Sequence, residues 1–240
     1  MKKLAIIGDS YSTYEGHVPE GYFCWYMNSG NECENDMPCA EKTWWYQLSK
    51  ENDLEIVMNC SFSGSAVCYS GYPDMPDRIG SAFISRMKVD LGERRTTPEP
   101  DILLIFGGTN DFGHGDAVFG TTDDRTEDSF CGAVRCLCEY LLEKYPAAKL
   151  VFITPLHRWN EADPCGDKKP QPVGTLKEYV QALRAILEEY SIPVLDLYAT
   201  SGIQPSISAI KARYMPDGLH PSDLGNELIC DRLIHFMELL

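Results

Sequence analysis

Three residues, Ser10, Asp217 and His220, have the types and spacing that chemistry needs. Asp217 and His220 lie three residues apart around Gly218, so one tight turn can aim a carboxylate at the imidazole Nδ1. Nε2 is then left to take a proton from a hydroxyl. The hydroxyl that suits it is at the other end of the chain, in Gly8-Asp9-Ser10. Attack by such a serine on a carbonyl also needs donors for the oxyanion that develops. The backbone N–H groups of Ser10 and Gly64 and the side-chain amide of Asn110 are three candidates, with glycine at 64 allowing close backbone approach.

The elements that must bring these residues together follow from the apolar pattern. Short apolar runs at Lys3 to Gly8, Leu54 to Met58, Asp101 to Phe106, Lys149 to Ile153 and Pro193 to Leu197 read as buried parallel strands. Between them helical spacing predicts five helices. One is capped by Thr43 and runs to about Lys50, and one lies over Arg78 to Leu91. A third carries Phe130, Val134, Leu137, Leu141 and Tyr145 on one face. A fourth opens on a Thr175/Glu178 capping box, and the last is capped by Ser222 with Leu224, Leu228, Ile229, Leu233 and Phe236 inward. This alternation predicts an α/β fold, a three-layer α/β/α sandwich on a central parallel sheet of about five strands. Ligands bind such sheets beyond the carboxyl ends of the strands, where Ser10, Gly64 and Asn110 each fall. The 11–40 segment is long, aperiodic and rich in aromatics, and it reads as a wall of the substrate pocket.

Composition narrows the partners. The chain has 240 residues, 44% of them hydrophobic, enough for one core, so a single domain over 1–240 is expected. The formal charge of −15 with no Lys/Arg cluster argues against nucleic acid, and no apolar run is long enough for membrane insertion. Lys2-Lys3 followed by four apolar residues is too short for a secretory leader, which leads us to expect a cytoplasmic protein with reduced thiols. The ten cysteines show no pair of Cys-x-x-Cys knuckles, so no metal is expected, even for the group Cys24, Cys33 and Cys39. A homo-oligomer is compatible with the pattern.

Gly8-Asp9-Ser10, the Gly64 turn, Gly108-Thr109-Asn110-Asp111 and Asp217-Gly218-Leu219-His220-Pro221 together resemble the four blocks of the SGNH hydrolases, also called GDSL-type lipases and acylhydrolases. They stand in the family's order across nearly the whole chain. The resemblance implies a flavodoxin-like fold, Ser10 as nucleophile, Gly64 and Asn110 in an oxyanion hole, Asp217 and His220 completing a triad, and no cofactor. Tyr11 departs from the motif that names the lipase subgroup, which has leucine there.

The expected activity is therefore a serine esterase working through an acyl-serine. Its substrate is a small-molecule or carbohydrate ester with a short acyl group such as acetyl. Trp25, Tyr26, His157, Arg158 and Trp159 are the residues expected to bind it, their aromatic rings suited to stacking on a sugar. Lysophospholipase, lipase-like or acyltransferase activity at the same site is the alternative, and a catalytically silent ligand-binding module is the competing class. None of the other histidines, His17, His114, His157 and His235, has an aspartate at the offset seen for His220 together with a matching glycine turn.

Overall fold

The structure is a computed structural model, and it describes residues 1–28, 37–69, 82–89, 99–114, 117–167 and 169–240. Five strands, β1 (Lys2–Gly8), β2 (Leu54–Asn59), β3 (Ile102–Phe106), β4 (Lys149–Ile153) and β5 (Val194–Leu195), form one parallel sheet in the order β2-β1-β3-β4-β5. Alternate residues on each strand serve opposite faces, as the two-residue period of a strand requires. Leu4, Ile6, Leu104, Phe106, Val151 and Ile153 pack with Trp44, Trp45 and Leu48 of helix α1 (Trp44–Glu51) and Ile229, Cys230 and Leu233 of helix α8 (Asp223–Glu238). Ala5, Ile7, Leu103, Ile105, Leu150 and Phe152 pack on the other side. Their partners there are helices α2 (Phe83–Arg86), α4 (Phe130–Lys144) and α5 (Leu176–Glu189). The result is the three-layer α/β/α sandwich that the alternation predicts, with the strand order of the flavodoxin-like class.

The departures are local. Of the helix expected over Arg78 to Leu91, the described part is α2 and the turn after it; the remainder lies outside the described residues, as does Cys33. Three short helices are not among the five expected: α3 (Thr109–Gly113), α6 (Leu197–Thr200) and α7 (Ser208–Tyr214). β5 is shorter than expected because the Asp196 carboxylate caps α6, accepting from the Ala199 N–H at 3.1 Å, so Leu197 begins a helix instead of ending a strand. Thr43 occupies the cap position of α1, but its hydroxyl donates to the Ala40 carbonyl at 2.7 Å and makes no cap bond. In α8 Leu224 faces solvent, and Gly225 and Asn226 take the inward place.

The two ends of the chain are tied by Asn226, which is fully buried. Its Oδ1 accepts from the Trp44 N–H at 3.0 Å, and its Nδ2 donates to the Ser222 carbonyl at 3.0 Å. Trp44 Nε1 in turn donates to the Tyr11 carbonyl at 3.0 Å. Asn226→Leu fills the space but strands the buried Trp44 N–H, so it should lower unfolding free energy by about 1–3 kcal/mol in urea denaturation. An unchanged midpoint would show that this link carries no stability.

Candidate active site

β1 ends at Gly8, where a side chain would lie 2.5 Å from Ser12 Oγ and 2.9 Å from Ser61 Oγ. The chain turns at once into a single 3-10 turn, Ser10–Ser12, capped by the Asp9 carboxylate accepting from the Tyr11 N–H at 3.1 Å. That turn lifts Ser10 off the end of the strand. At the far end of the chain the Asp217 Oδ1 accepts from the Leu219 and His220 N–H groups at 2.8 and 2.7 Å, closing the loop around Gly218, whose φ is +83°. The other oxygen, Oδ2, lies 2.7 Å from His220 Nδ1, and His220 Nε2 lies 3.0 Å from Ser10 Oγ. The three residues singled out by spacing thus stand in one hydrogen-bonded line across 210 positions of sequence.

Gly64 and Asn110 reach the same edge of the sheet. Gly64 has a φ of +77°, a left-handed conformation that favours glycine, so backbone geometry is an added reason for the residue. Asn110 sits in the first turn of α3, after Gly108 with a φ of +107°. One N–H of its amide is committed, donating to the Ser65 carbonyl at 2.9 Å. An amide carries a second N–H that this bond does not use.

Two residues not singled out from the sequence hold this loop. The buried Asp111 carboxylate accepts from the Val67 and Cys68 N–H groups at 2.8 and 3.1 Å. Arg86, also fully buried, donates to the Gly8 carbonyl at 3.0 Å, the Ser65 hydroxyl at 2.7 Å and the Cys60 carbonyl. It therefore joins the ends of β1 and β2 to the loop between Gly64 and Cys68. Asp111 stands beside Asn110 in a block already recognised, so it was within reach of sequence reasoning. Nothing around Arg86 marks it.

The residues expected to bind substrate divide. Trp25 lies flat on the His220 imidazole, ring centroids 3.6 Å apart and planes 16° from parallel. Trp159 is 64% exposed beside the Asp217 turn: its N–H donates to the Gly218 carbonyl at 2.9 Å, and its Cβ would meet a side chain at 218 at 2.9 Å. Tyr26 and Arg158 are corrections to the expected binding set, because both are buried and committed elsewhere. The Tyr26 hydroxyl donates to the Pro221 carbonyl at 2.6 Å. Arg158 makes a two-pronged bond to Asp167 at 2.9 and 2.8 Å and donates to the Thr109 carbonyl at 3.2 Å. His157 pairs with Glu161 at 2.6 Å and packs on the Tyr198 ring. Among the described residues no group of three His, Cys, Asp or Glu side chains is placed to hold a metal ion, and no helix is long and apolar enough to cross a membrane.

Burial sets the charges. It lowers the His220 pKa below the ordinary histidine value, and the bond and charge of Asp217 offset this only in part. The imidazole is therefore neutral at pH 7 and able to accept a proton. Burial works to raise the Asp217 carboxyl, but the His220 bond and charge and the two backbone N–H groups outweigh it and leave the group ionised. Asp9 is the reverse case. Burial pushes its carboxyl up to about 7 against the lowering influence of the Tyr11 N–H and the Arg86 charge, and its Oδ2 has no hydrogen-bond partner among the described residues.

A parallel α/β sheet carrying a hydroxyl, an imidazole and a carboxylate in line beyond its strand ends is the architecture of a hydrolase. The chain belongs to the GDSL-like lipase/acylhydrolase family, whose model matches residues 2–162, and it is an ester-bond hydrolase. That match includes Ser10, Gly64 and Asn110, while Asp217 and His220 lie beyond it. The chain is 24% identical over 234 residues to a GDSL lipase of Mycobacterium tuberculosis, covering 97% of this chain and 80% of that protein. Among solved structures, a protein of Bacteroides uniformis described as a GDSL-like lipase is 30% identical with a TM-score of 0.69, covering 100% of this chain and 96% of that one. One of Bacteroides ovatus with the same description is 28% identical with a TM-score of 0.71, covering 100% and 99%.

The raised Asp9 pKa has a consequence for stability. The unfolded chain releases this proton near the ordinary value of 3.8, the folded chain near 7, so the fold binds the extra proton between the two and loses stability as pH rises through that window. Asp9→Asn keeps the acceptor for the Tyr11 N–H and removes the ionisation. Its unfolding free energy should fall less than that of the wild type between about pH 4 and 8. Parallel curves for the two proteins would contradict a protonated Asp9.

Proposed function

We propose that the protein is a serine esterase acting through an acyl-serine, with a short acyl ester of a carbohydrate or similar small molecule as substrate. The observation that carries the reading is the line Asp217–His220–Ser10 at 2.7 and 3.0 Å with a neutral imidazole at its centre. In the first half-reaction Ser10 Oγ attacks the ester carbonyl carbon while its proton passes to His220 Nε2. The tetrahedral oxyanion is met by the Ser10 and Gly64 N–H groups and the second N–H of the Asn110 amide. The C–O bond to the alcohol then breaks, and the imidazolium returns its proton to the leaving oxygen. In the second half-reaction water, deprotonated by His220, attacks the acyl-serine, releasing the acid and restoring the Ser10 hydroxyl.

Two features support the choice of substrate. Ser10, Asn110 and His220 are each no more than 8% exposed, which favours a small acyl group over a bulky one. Trp159 offers an exposed indole held against the triad turn, a platform on which a sugar ring or another flat leaving group can rest. His157, beside it on the same loop, is the further candidate for contact with the alcohol part.

A chain-length series of 4-nitrophenyl esters tests the reading directly. Acetate should be the best substrate, and Ser10→Ala and His220→Ala should each abolish turnover. Asn110→Ala should lower kcat by about 10²–10³-fold. Turnover that survives Ser10→Ala would contradict the nucleophile, activity that grows with chain length would point to a lipase, and products dominated by transfer to an added alcohol would point to an acyltransferase. The acid limb of kcat/KM should have its midpoint below the ordinary histidine value of about 6.5, because His220 must be neutral to act.

A further inference from the structure

We infer that Trp25 is a positioning residue for the base: its indole forms a fixed wall against one face of His220, keeps Nε2 aimed at Ser10, and steadies the imidazolium that forms when Ser10 gives up its proton. The inference rests on the reading of His220 as the base. Stacking at 3.6 Å and 16° is contact over the whole ring, unlike the edge-on approach of Tyr11 to the same imidazole at 6.0 Å and 81°. A cation held over an indole face is attracted by the ring's quadrupole, most strongly where water is excluded, and His220 is only 5% exposed.

The wall is built to stay in place. The Trp25 backbone N–H donates to Thr13 Oγ1 at 2.9 Å, and that hydroxyl donates to the carbonyl of Ser10 itself at 3.1 Å. The residues on either side are pinned to the two halves of the site. The Phe23 carbonyl accepts from the Ser63 N–H at 2.8 Å, next to Gly64. The Tyr26 hydroxyl reaches the Pro221 carbonyl, next to His220. The segment that carries the indole is thus located by bonds to the nucleophile turn, the oxyanion loop and the base loop at once. A wall that served only the substrate would have no need to be registered against all three. Among the described residues the charged and polar neighbours of the imidazole are Asp217 at Nδ1, Ser10 at Nε2, Tyr11 at the ring edge and the more distant Arg158 charge, and the indole covers one face of the ring.

The test compares Trp25→Leu and Trp25→Phe with the wild type on 4-nitrophenyl acetate, with His220→Ala and Ser10→Ala alongside. Trp25→Leu should lose roughly 5- to 30-fold in kcat with KM within about 2-fold, while Trp25→Phe, which keeps an aromatic face, should retain at least about a third of kcat. Should Trp25→Leu fail to fold, the wild type decides by itself. Protonating His220 quenches an indole stacked on it, so tryptophan emission should titrate with the midpoint of the kcat/KM acid limb. That transition should be missing from Trp25→Phe and His220→Ala. A rise in KM with kcat unchanged would overturn the inference and make Trp25 a substrate contact. Equal losses in the Leu and Phe variants, or emission that does not follow the acid limb, would also overturn it. Activity remaining in Ser10→Ala and His220→Ala would instead overturn the underlying assignment of the base.

Discussion

The site depends on one hydrogen bond, 3.0 Å from His220 Nε2 to Ser10 Oγ, made between residues 210 positions apart. Nothing local in the sequence can form it. It exists because β1, in the interior of the sheet, delivers Ser10 to the same edge to which the loop before α8 delivers His220, and because α1 and α8 are clamped through Asn226 and Trp44. Closing so long a loop carries an entropic penalty that only a well-packed core can offset. The two apolar clusters on the faces of the sheet supply that core.

Around this bond the protein spends buried polar groups generously. Arg86, Asp111, Asp9 and Arg158 are all withdrawn from water close to the site. Arg86 bonds the carbonyls of Gly8 and Cys60 and the Ser65 hydroxyl, and Asp111 takes two N–H groups from the loop after Gly64. Buried polar groups are costly unless fully bonded, but once bonded they fix geometry more tightly than apolar contacts do. This explains how loops can carry the reacting groups. The turn at Ser10 and the loop after Gly64 are fastened to strand ends by charge-assisted bonds, so on the proposed reading the donors for an oxyanion are in place before any substrate arrives.

Much of this was legible in the sequence, for identifiable reasons. The strands were readable because a central parallel strand is apolar along its whole length, as in Ile102–Phe106. Ser10, Asp217 and His220 were readable because their chemistry fixes both type and spacing. What escaped was either too short to show a period or dependent on contacts distant in sequence. The short helices α3, α6 and α7 have too few residues to show a period, and α6 exists through the cap that Asp196 provides. Tyr26 and Arg158 looked like pocket residues because aromatic and basic side chains on loops often are. Their burial is decided by Pro221 and Asp167, which no local pattern reveals. Trp25 is the instructive case: the sequence places it near the site, and only the fold shows that it stacks on His220.

The most direct measurement of the central claim is to locate the acyl group during turnover. Acid-quenching the reaction with 4-nitrophenyl acetate in its early phase, then mapping the acetylated peptide by mass spectrometry, should find the acetyl group on Ser10. The label should be absent in Ser10→Ala, whose turnover is lost with it. An acetyl group on another residue, or a wild-type enzyme that turns over while Ser10 is never acylated, would contradict the account.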